Sequence, residues 1–356
     1  MFPNNLGWNS SLENFCTDSA FADHKLGRVT RVDRGSLNLE TEFGSLRGTP
    51  VGRLMQLPEE KRPAVGDWVF WTPLDAREAV VLELLPRINQ LTRAAAGTTS
   101  KVQVLVANLD LAVIAMSADG DFSLSRLERY LIMVRGAGIQ PAIVLTRCDV
   151  CCDVPALEAS IREISQDAPI LATSSFTGLG FETLSSWFSS GTTAVILGSS
   201  GVGKSTIVNK LLGSETQSTG AIRISDGLGK HTTTSRDLLC LPQGGVIIDT
   251  PGLREVLPLA DADTINETFA EIEHLSSLCR FRDCGHQNEP GCAVVAAVEA
   301  GDLQPRRLAN FLRLHEESSH AVTRASDRLS KAGRDKDRNF GKMSKQAQAF
   351  KKKNRN

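Results

Sequence analysis

The chain has 356 residues, and 40 Lys and Arg against 41 Asp and Glu leave a formal net charge of −1. That length predicts two or three domains, and 41% hydrophobic with 23% charged residues excludes a chain disordered throughout. The near-neutral total is a cancellation: ten basic and two acidic residues lie between Lys331 and Asn356, leaving 30 basic against 39 acidic before them. An acidic body of −9 therefore precedes a basic arm of +8, which composition leaves open between a solubilising tail and a polyanion-binding one. No apolar run approaches the roughly 18 residues of a membrane-spanning helix. The opening MFPNNLGWNSSLENF lacks the basic start and apolar stretch of a secretory leader. A cytoplasmic address is expected, where eight cysteines point to metal ligands or buried thiols before disulfides.

In chain order, residues 1–24 are rich in Asn, Ser and Asp and are expected to form a loose extension. Short β-type runs punctuated by Gly and Pro follow, the clearest being Leu26–Val32, Ser36–Phe43, Asp67–Trp71 and Ala79–Leu84. They predict a small barrel of the OB or SH3-like kind over residues 25–95. Alternation places Trp68 and Phe70 on one strand face and Val69 and Trp71 on the other, a pattern that suits core packing better than base stacking. From Val102 strands alternate with helices, as in a parallel α/β sheet, here expected over residues 96–258. Leu111–Met116, Pro141–Leu145, Ile170–Ala172, Ala194–Leu197 and Val246–Ile248 read as buried strands. Ser125–Arg135, Leu157–Ile164, Phe181–Phe188 and Thr206–Leu212 read as helices, the first with Ser125 and Glu128 as a capping box. After Pro258, Ile265, Phe269, Ile272 and Leu275 recur at helix spacing. A Cys/His cluster and a helix near Arg306–Glu317 complete a helical domain over 259–325, followed by the basic tail 326–356.

Gly198, Ser199, Ser200, Gly201, Val202, Gly203, Lys204 and Ser205 match G-x-x-x-x-G-K-[ST], between a predicted strand and a helix that continues from Thr206. Glycines let successive backbone N–H groups face one concave nest for phosphate oxygens. Lys204 would reach the β- and γ-phosphates, and the Ser205 hydroxyl would ligate Mg²⁺. Asp249-Thr-Pro-Gly252 follows the strand Val246–Ile248. It supplies a carboxylate for the same Mg²⁺ and a glycine backbone for the γ-phosphate. Between them lies Gly229-Lys-His231-Thr232-Thr233-Thr234. Any of its three threonine hydroxyls could complete the Mg²⁺ shell in a switch segment, with Thr233 as the candidate.

Thr146-Arg147-Cys148-Asp149 follows the strand Pro141–Leu145 and matches [NT]-K-x-D except at Arg147. Asp149 would accept two hydrogen bonds from guanine, which adenine does not offer in that arrangement. The Arg147 stem can cover the base as a lysine stem does. Thr173-Ser174-Ser175, after the strand Ile170–Ala172, stands where a second base loop belongs. Both base elements precede the phosphate loop, a circular permutation permitted by the closeness of domain termini. It sends the chain from the Asp249–Gly252 switch straight into the Cys/His region. Leu253 follows D-T-P-G, and a leucine cannot orient an attacking water. Slow intrinsic hydrolysis is therefore expected, with His231 as the candidate catalytic group beside Lys204.

Cys279-x4-Cys284-x-His286-x5-Cys292 is a compact Cys₃His set suited to one structural Zn²⁺ per chain. The remaining cysteines, Cys16, Cys148, Cys151, Cys152 and Cys240, are scattered. A barrel, a zinc module and a basic arm on one GTPase point to RNA as a partner.

The permuted order, G-K-H-T-T-T at 229–234, D-T-P-G-L-R-E at 249–255, the Cys/His spacing and V-A-N-L-D at 106–110 together resemble the ribosome small-subunit-dependent GTPase A (RsgA) family. The resemblance runs from about residue 25 to 320. It implies an OB barrel, a circularly permuted P-loop GTPase domain and a C-terminal helical zinc domain, with GTP and GDP as ligands. It also implies late maturation of the small (30S) subunit, hydrolysis stimulated by that subunit, and 16S rRNA as the contacted RNA. A monomer without a membrane partner is expected. A metabolic P-loop ATPase or kinase with an incidental zinc site is one rival, separated by competition of ATP against GTP. An RNA-binding scaffold with a degenerate GTPase is another, separated by turnover.

Overall fold

A computed structural model describes residues 6–8, 24–94, 102–213, 237–249 and 262–319. The chain divides into two compact units, residues 1–93 with 102–273, and residues 94–101 with 274–356.

The first unit begins with a closed barrel of β1 (Lys25–Asp33), β2 (Ser36–Thr41), β3 (Gly44–Pro50), β4 (Trp68–Pro73) and β5 (Glu78–Leu84). Its order, β1-β2-β3-β5-β4, is that of an OB barrel, and the β3–β5 pair is parallel. The short α1 (Gly52–Met55) lies in the connection from β3 to β4. On β4, Val69 and Trp71 join Val29, Leu37, Leu39 and Val81 in one buried cluster. Trp68 and Phe70 face the other way but are equally buried, clustered with Leu6, Trp8 and Leu85. Both faces of this strand are thus core, which is why it reads as four apolar residues in a row. Leu6 and Trp8 depart from the loose extension expected of residues 1–24: they are 2% and 3% exposed. The Trp8 ring stands edge-on to Trp68 at 4.8 Å between centroids. An apolar pair in a polar segment has gone where apolar surface was available.

A two-stranded pair, β6 (Gln90–Ala94) with β7 (Val102–Ala107), leads to a six-stranded sheet. Its strands are β8 (Leu111–Ser117), β9 (Gln140–Thr146), β10 (Ile170–Ala172), β11 (Thr193–Leu197), β12 (Asp237–Cys240) and β13 (Val246–Asp249), in the order β10-β9-β8-β11-β13-β12. All pairs are parallel except β12–β13. Burial on both faces explains the unbroken apolar strands. Ala112, Ile114 and Met116 of β8 enter one cluster, with Leu127 and Leu131 of α2 (Leu124–Gly136) and Ile161 of α3 (Val154–Arg162). Val113 and Ala115 enter the other, with Leu184 of α4 (Phe181–Ser186) and Ile207 of α5 (Lys204–Leu212).

The N-cap of α2 differs from the expected capping box. Ser123, in extended conformation, accepts from the Arg126 N–H at 3.4 Å, which puts Ser125 inside the first turn and buries Glu128. The apolar stretch after Pro258 also splits in two, α6 (Ala262–Thr268) and α7 (Ala270–Ser276). The Thr268 hydroxyl donates to the Thr264 carbonyl at 3.0 Å, a back-bond that bends helices. The second unit contains α8 (Ala293–Ala300), capped by Cys292 and ended by Gly301, and α9 over residues 305–319. Val294, Leu303, Phe311 and Leu314 are buried in it. Among the described residues no helix is long and apolar enough to cross a membrane.

Candidate nucleotide and zinc sites

In the sheet, β8 continues through α2 to β9 on one side, while its other neighbour β11 continues through α5 toward β13 on the opposite side. The crevice beyond the carboxyl ends of β8 and β11 is thus a topological switch point, where α/β folds bind ligands. The loops after β8, β9 and β11 all open there, so residues 118–123, 147–153 and 198–203 meet although far apart in the chain.

The phosphate-loop sequence joins β11 to α5. Gly198 has φ +148, and a Cβ there would sit 2.6 Å from the Ala115 carbonyl oxygen of β8. Only glycine lets the loop pass so close to the neighbouring strand. Val202 anchors the loop, 2% exposed, in the core beneath α5. Gly203, with φ +100, turns the chain into the helix, so that Lys204, Ser205 and Thr206 form its first turn. Ser200 and Gly201 are exposed. The Lys204 Nζ donates to the carbonyls of Gly198 at 2.8 Å and Ser199 at 2.6 Å, lying across the loop. This nest next to a helix N-terminus can take a phosphate chain.

The base-loop residues are brought to the same place. The Thr146 hydroxyl, at the end of β9, donates to the Val202 carbonyl at 2.7 Å. Arg147 has a left-handed backbone, φ +59, and its Nη2 donates to the Gly201 carbonyl at 2.6 Å. The Cys148 N–H donates to the Thr173 carbonyl at 3.1 Å and its thiol to the Leu145 carbonyl at 3.4 Å. Burial pushes this thiol up, and it is the backbone N–H of Cys148 that fastens one base loop to the other. Asp149 is exposed. Ser174 is fully buried, and its hydroxyl accepts from the Thr177 N–H at 3.2 Å, which shapes the second loop. Asp249 ends β13, one strand from the phosphate loop. His231, Thr232, Thr233, Thr234, Gly252 and Leu253 lie outside the described residues, as does the tail from 320 on.

Two carboxylates that the sequence reading passed over face the phosphate loop. Asp119 accepts from Arg147 and Asp121 from Ser199. Their only mark in the sequence is a D-G-D just after a buried strand, which acquires meaning once β8 is known to border the switch point.

In the second unit, Cys279, Cys284, His286 and Cys292 place their ligand atoms within 4.8 Å of one another. The Cys279 and Cys292 sulfurs are 3.9 Å apart, and the His286 Nδ1 is 3.7 and 3.5 Å from them. Edges of a tetrahedron with Zn–S of about 2.3 Å and Zn–N of about 2.1 Å would be roughly 3.8 and 3.6 Å. The donor set therefore fits zinc. Nε2 of His286 is hydrogen-bonded to the Ser276 hydroxyl at 3.0 Å, which leaves Nδ1 for the sulfurs. Burial raises the Cys279 thiol, but backbone N–H groups of Ala293 and Val294 outweigh it and hold it below its ordinary value. These two N–H groups belong to the first turn of α8, whose positive end favours thiolate. The Glu289 carboxylate accepts from the N–H groups of Gly285, Gln287 and Asn288, which shapes the ligand loop.

Comparison with known proteins agrees with this geometry. The RsgA GTPase family model matches residues 84–257. An ABC transporter model matches residues 181–336, a span that starts just before the phosphate loop P-loop proteins share. A small ribosomal subunit biogenesis GTPase, RsgA 2 of Vibrio parahaemolyticus, is 39% identical over 98% of this chain and 93% of its own. Among solved structures, YjeQ from Thermotoga maritima is 27% identical with a TM-score of 0.57, covering 83% of this chain and 98% of its own. YloQ, a circularly permuted GTPase, shares the fold at 24% identity and a TM-score of 0.58, covering 83% of this chain and 96% of its own.

Proposed function

The chain belongs to the RsgA family and is a GTP hydrolase, and from that premise we propose that it acts in late maturation of the small ribosomal subunit. In this reading it contacts 16S rRNA, is stimulated by the subunit, and works as a cytoplasmic monomer. The observation that carries it is the meeting of Thr146, Arg147 and the phosphate loop at one switch point, which reunites guanine-reading and phosphate-binding elements in permuted order. The corresponding division is an extension 1–24, a barrel 25–95, a GTPase domain 96–258, a zinc domain 259–325 and a basic tail 326–356.

Within the site, the N–H groups of residues 198–205 take up the phosphate oxygens, and Lys204 exchanges its two loop carbonyls for phosphate. Asp149 reads guanine, while Ser174 braces the second base loop behind it. Ser205, Asp249 and Thr233 would hold Mg²⁺, for which hydroxyl and carboxylate oxygens are the fitting donors; when bound, it neutralises charge on the phosphates. Cys279, Cys284, His286 and Cys292 would hold one Zn²⁺ with no ligand position left open, a structural role. His231 orients the attacking water, which Leu253 cannot do.

The test is GTP turnover with and without purified small subunits, in the presence of excess ATP. Turnover should rise with subunits by about tenfold or more if they complete the site, and ATP should not compete. Equal rates with and without subunits would overturn the reading. In the same assay His231→Ala should abolish most of the stimulation, and full stimulation would discard that assignment.

A further inference from the structure

The loop between β8 and α2 contains Asp119 and Asp121, which belong to none of the nucleotide motifs. The Asp119 Oδ2 accepts from Arg147 Nη1 at 2.6 Å, while Nη2 of the same guanidinium donates to the Gly201 carbonyl at 2.6 Å. The Asp121 Oδ2 accepts from the Ser199 hydroxyl at 2.8 Å and from Arg126 Nη1 at 2.8 Å, and its Oδ1 accepts from Arg126 Nη2 at 3.1 Å. One carboxylate thus grips the phosphate loop at residue 199 directly, and the other grips it at residue 201 through an arginine. Each is paired with a guanidinium, so neither presents an uncompensated negative charge to a triphosphate.

We propose that Asp119 and Asp121 are positioning residues for GTP, holding the phosphate loop in its nucleotide-receiving shape and fixing Arg147 across it. A nest binds tightly only if its N–H groups already point inward, because ordering a loop on binding subtracts from affinity. The Gly201 carbonyl, held outward by Arg147, sets the orientation of the next N–H in the loop. Arginine suits this role because it reaches two acceptors with separate nitrogens of one rigid plane, whereas lysine would have to bring both to a single atom. The departure from the usual lysine at position 147 and the acid at 119 are therefore one device.

The proposal rests on residues 146–149 and 198–205 being the GTP site, and the experiment separates the two. Fluorescent GDP and GTP analogues would be bound to the full chain, with affinities and release rates measured together with KM and kcat. Asp119→Ala should weaken both nucleotides about tenfold, by faster release, and raise KM while kcat changes less than about twofold. Asp119→Asn, which keeps an acceptor, should recover most of the loss, and Asp121→Ala should cost about fivefold in affinity. Adding Asp119→Ala to Arg147→Ala should cost nothing further, since both break one linkage. Losses that multiply, or single-variant affinities within about twofold of the parent, would overturn the proposal. Melting temperatures without nucleotide should be unchanged; a fall that tracks the affinity loss would show a merely structural role. If Lys204→Ala and Asp149→Ala also retain affinity, the site assignment has failed; if only those two lose it, the positioning role alone has failed.

Discussion

Arg28 brings a positive charge into a fully enclosed place between barrel and sheet. Its guanidinium donates to the carbonyls of Leu6, Gly66 and Asn108 and to the Thr193 hydroxyl, and it lies 5.0 Å from the centroid of the Trp68 ring. Burial lowers it to about 10, so it stays charged at neutral pH. One side chain thereby joins the N-terminal segment, the barrel, the β7–β8 turn and the start of the strand that ends in the phosphate loop. Gly66 makes this approach possible: its φ is +92, and a Cβ would sit 2.2 Å from the Ala107 carbonyl oxygen. Arg28→Met should strand several buried acceptors at a cost of about 3 kcal/mol. For a unit of this size that is a fall of roughly 6–10 °C in Tm. A calorimetric shift below about 2 °C would show that water replaces the guanidinium at little cost. At the same scale, Ser123 caps α2 where Ser125 was expected, because the cap goes to whichever hydroxyl stands in extended backbone one residue before the helix.

Among elements, the strand–loop–helix of residues 193–212 was legible because it combines a buried strand, glycines in left-handed backbone and a helix start, each with its own residue signal. The strand Gly44–Pro50 was not, since its Gly, Arg and Pro dilute the alternation and pairing with β2 and β5 holds it in place. The Cys/His cluster was legible by spacing alone, but its supports were not. Ser276 lies ten residues before His286 on a different element, and Glu289 acts through backbone N–H groups. His286 itself has φ +57, an arrangement that a metal bond can hold. Freshly purified protein should contain about one zinc per chain. Cys284→Ser should lose it and shorten the lifetime of the second unit under limited proteolysis, while GTP affinity in the first persists. Metal-free protein with an intact, protease-resistant second unit would refute the zinc assignment.

At the scale of the whole molecule, permutation and charge act together. The D-T-P-G sequence ending at Gly252 is followed along the chain by the segment that leads to the Cys/His cluster, so in the proposed function the nucleotide site and the zinc site are sequence neighbours. The +8 arm, residues 331–356, follows the Cys/His cluster in sequence, and the 330 residues before it carry −9. In the proposed function such an arm would supply the salt-sensitive part of RNA binding, and the acidic body would discourage non-specific contact elsewhere. Removing residues 331–356 should flatten the slope of log affinity for the small subunit against log salt by up to about 6. An unchanged slope would mean that the arm is a solvated extension.

The sequence by itself determined the class of chemistry here, because phosphate nests, guanine readers and thiolate metal sites each demand particular residues at short, fixed spacings. It also determined that the base elements come before the phosphate loop. Only the tertiary structure decided which distant residues stand behind those motifs. Asp119 and Asp121 matter because β8 lies beside β11, and Leu6 and Trp8 are core because the outer face of β4 is apolar. Such partnerships join residues tens of positions apart through sheet order and packing, and no local pattern encodes them.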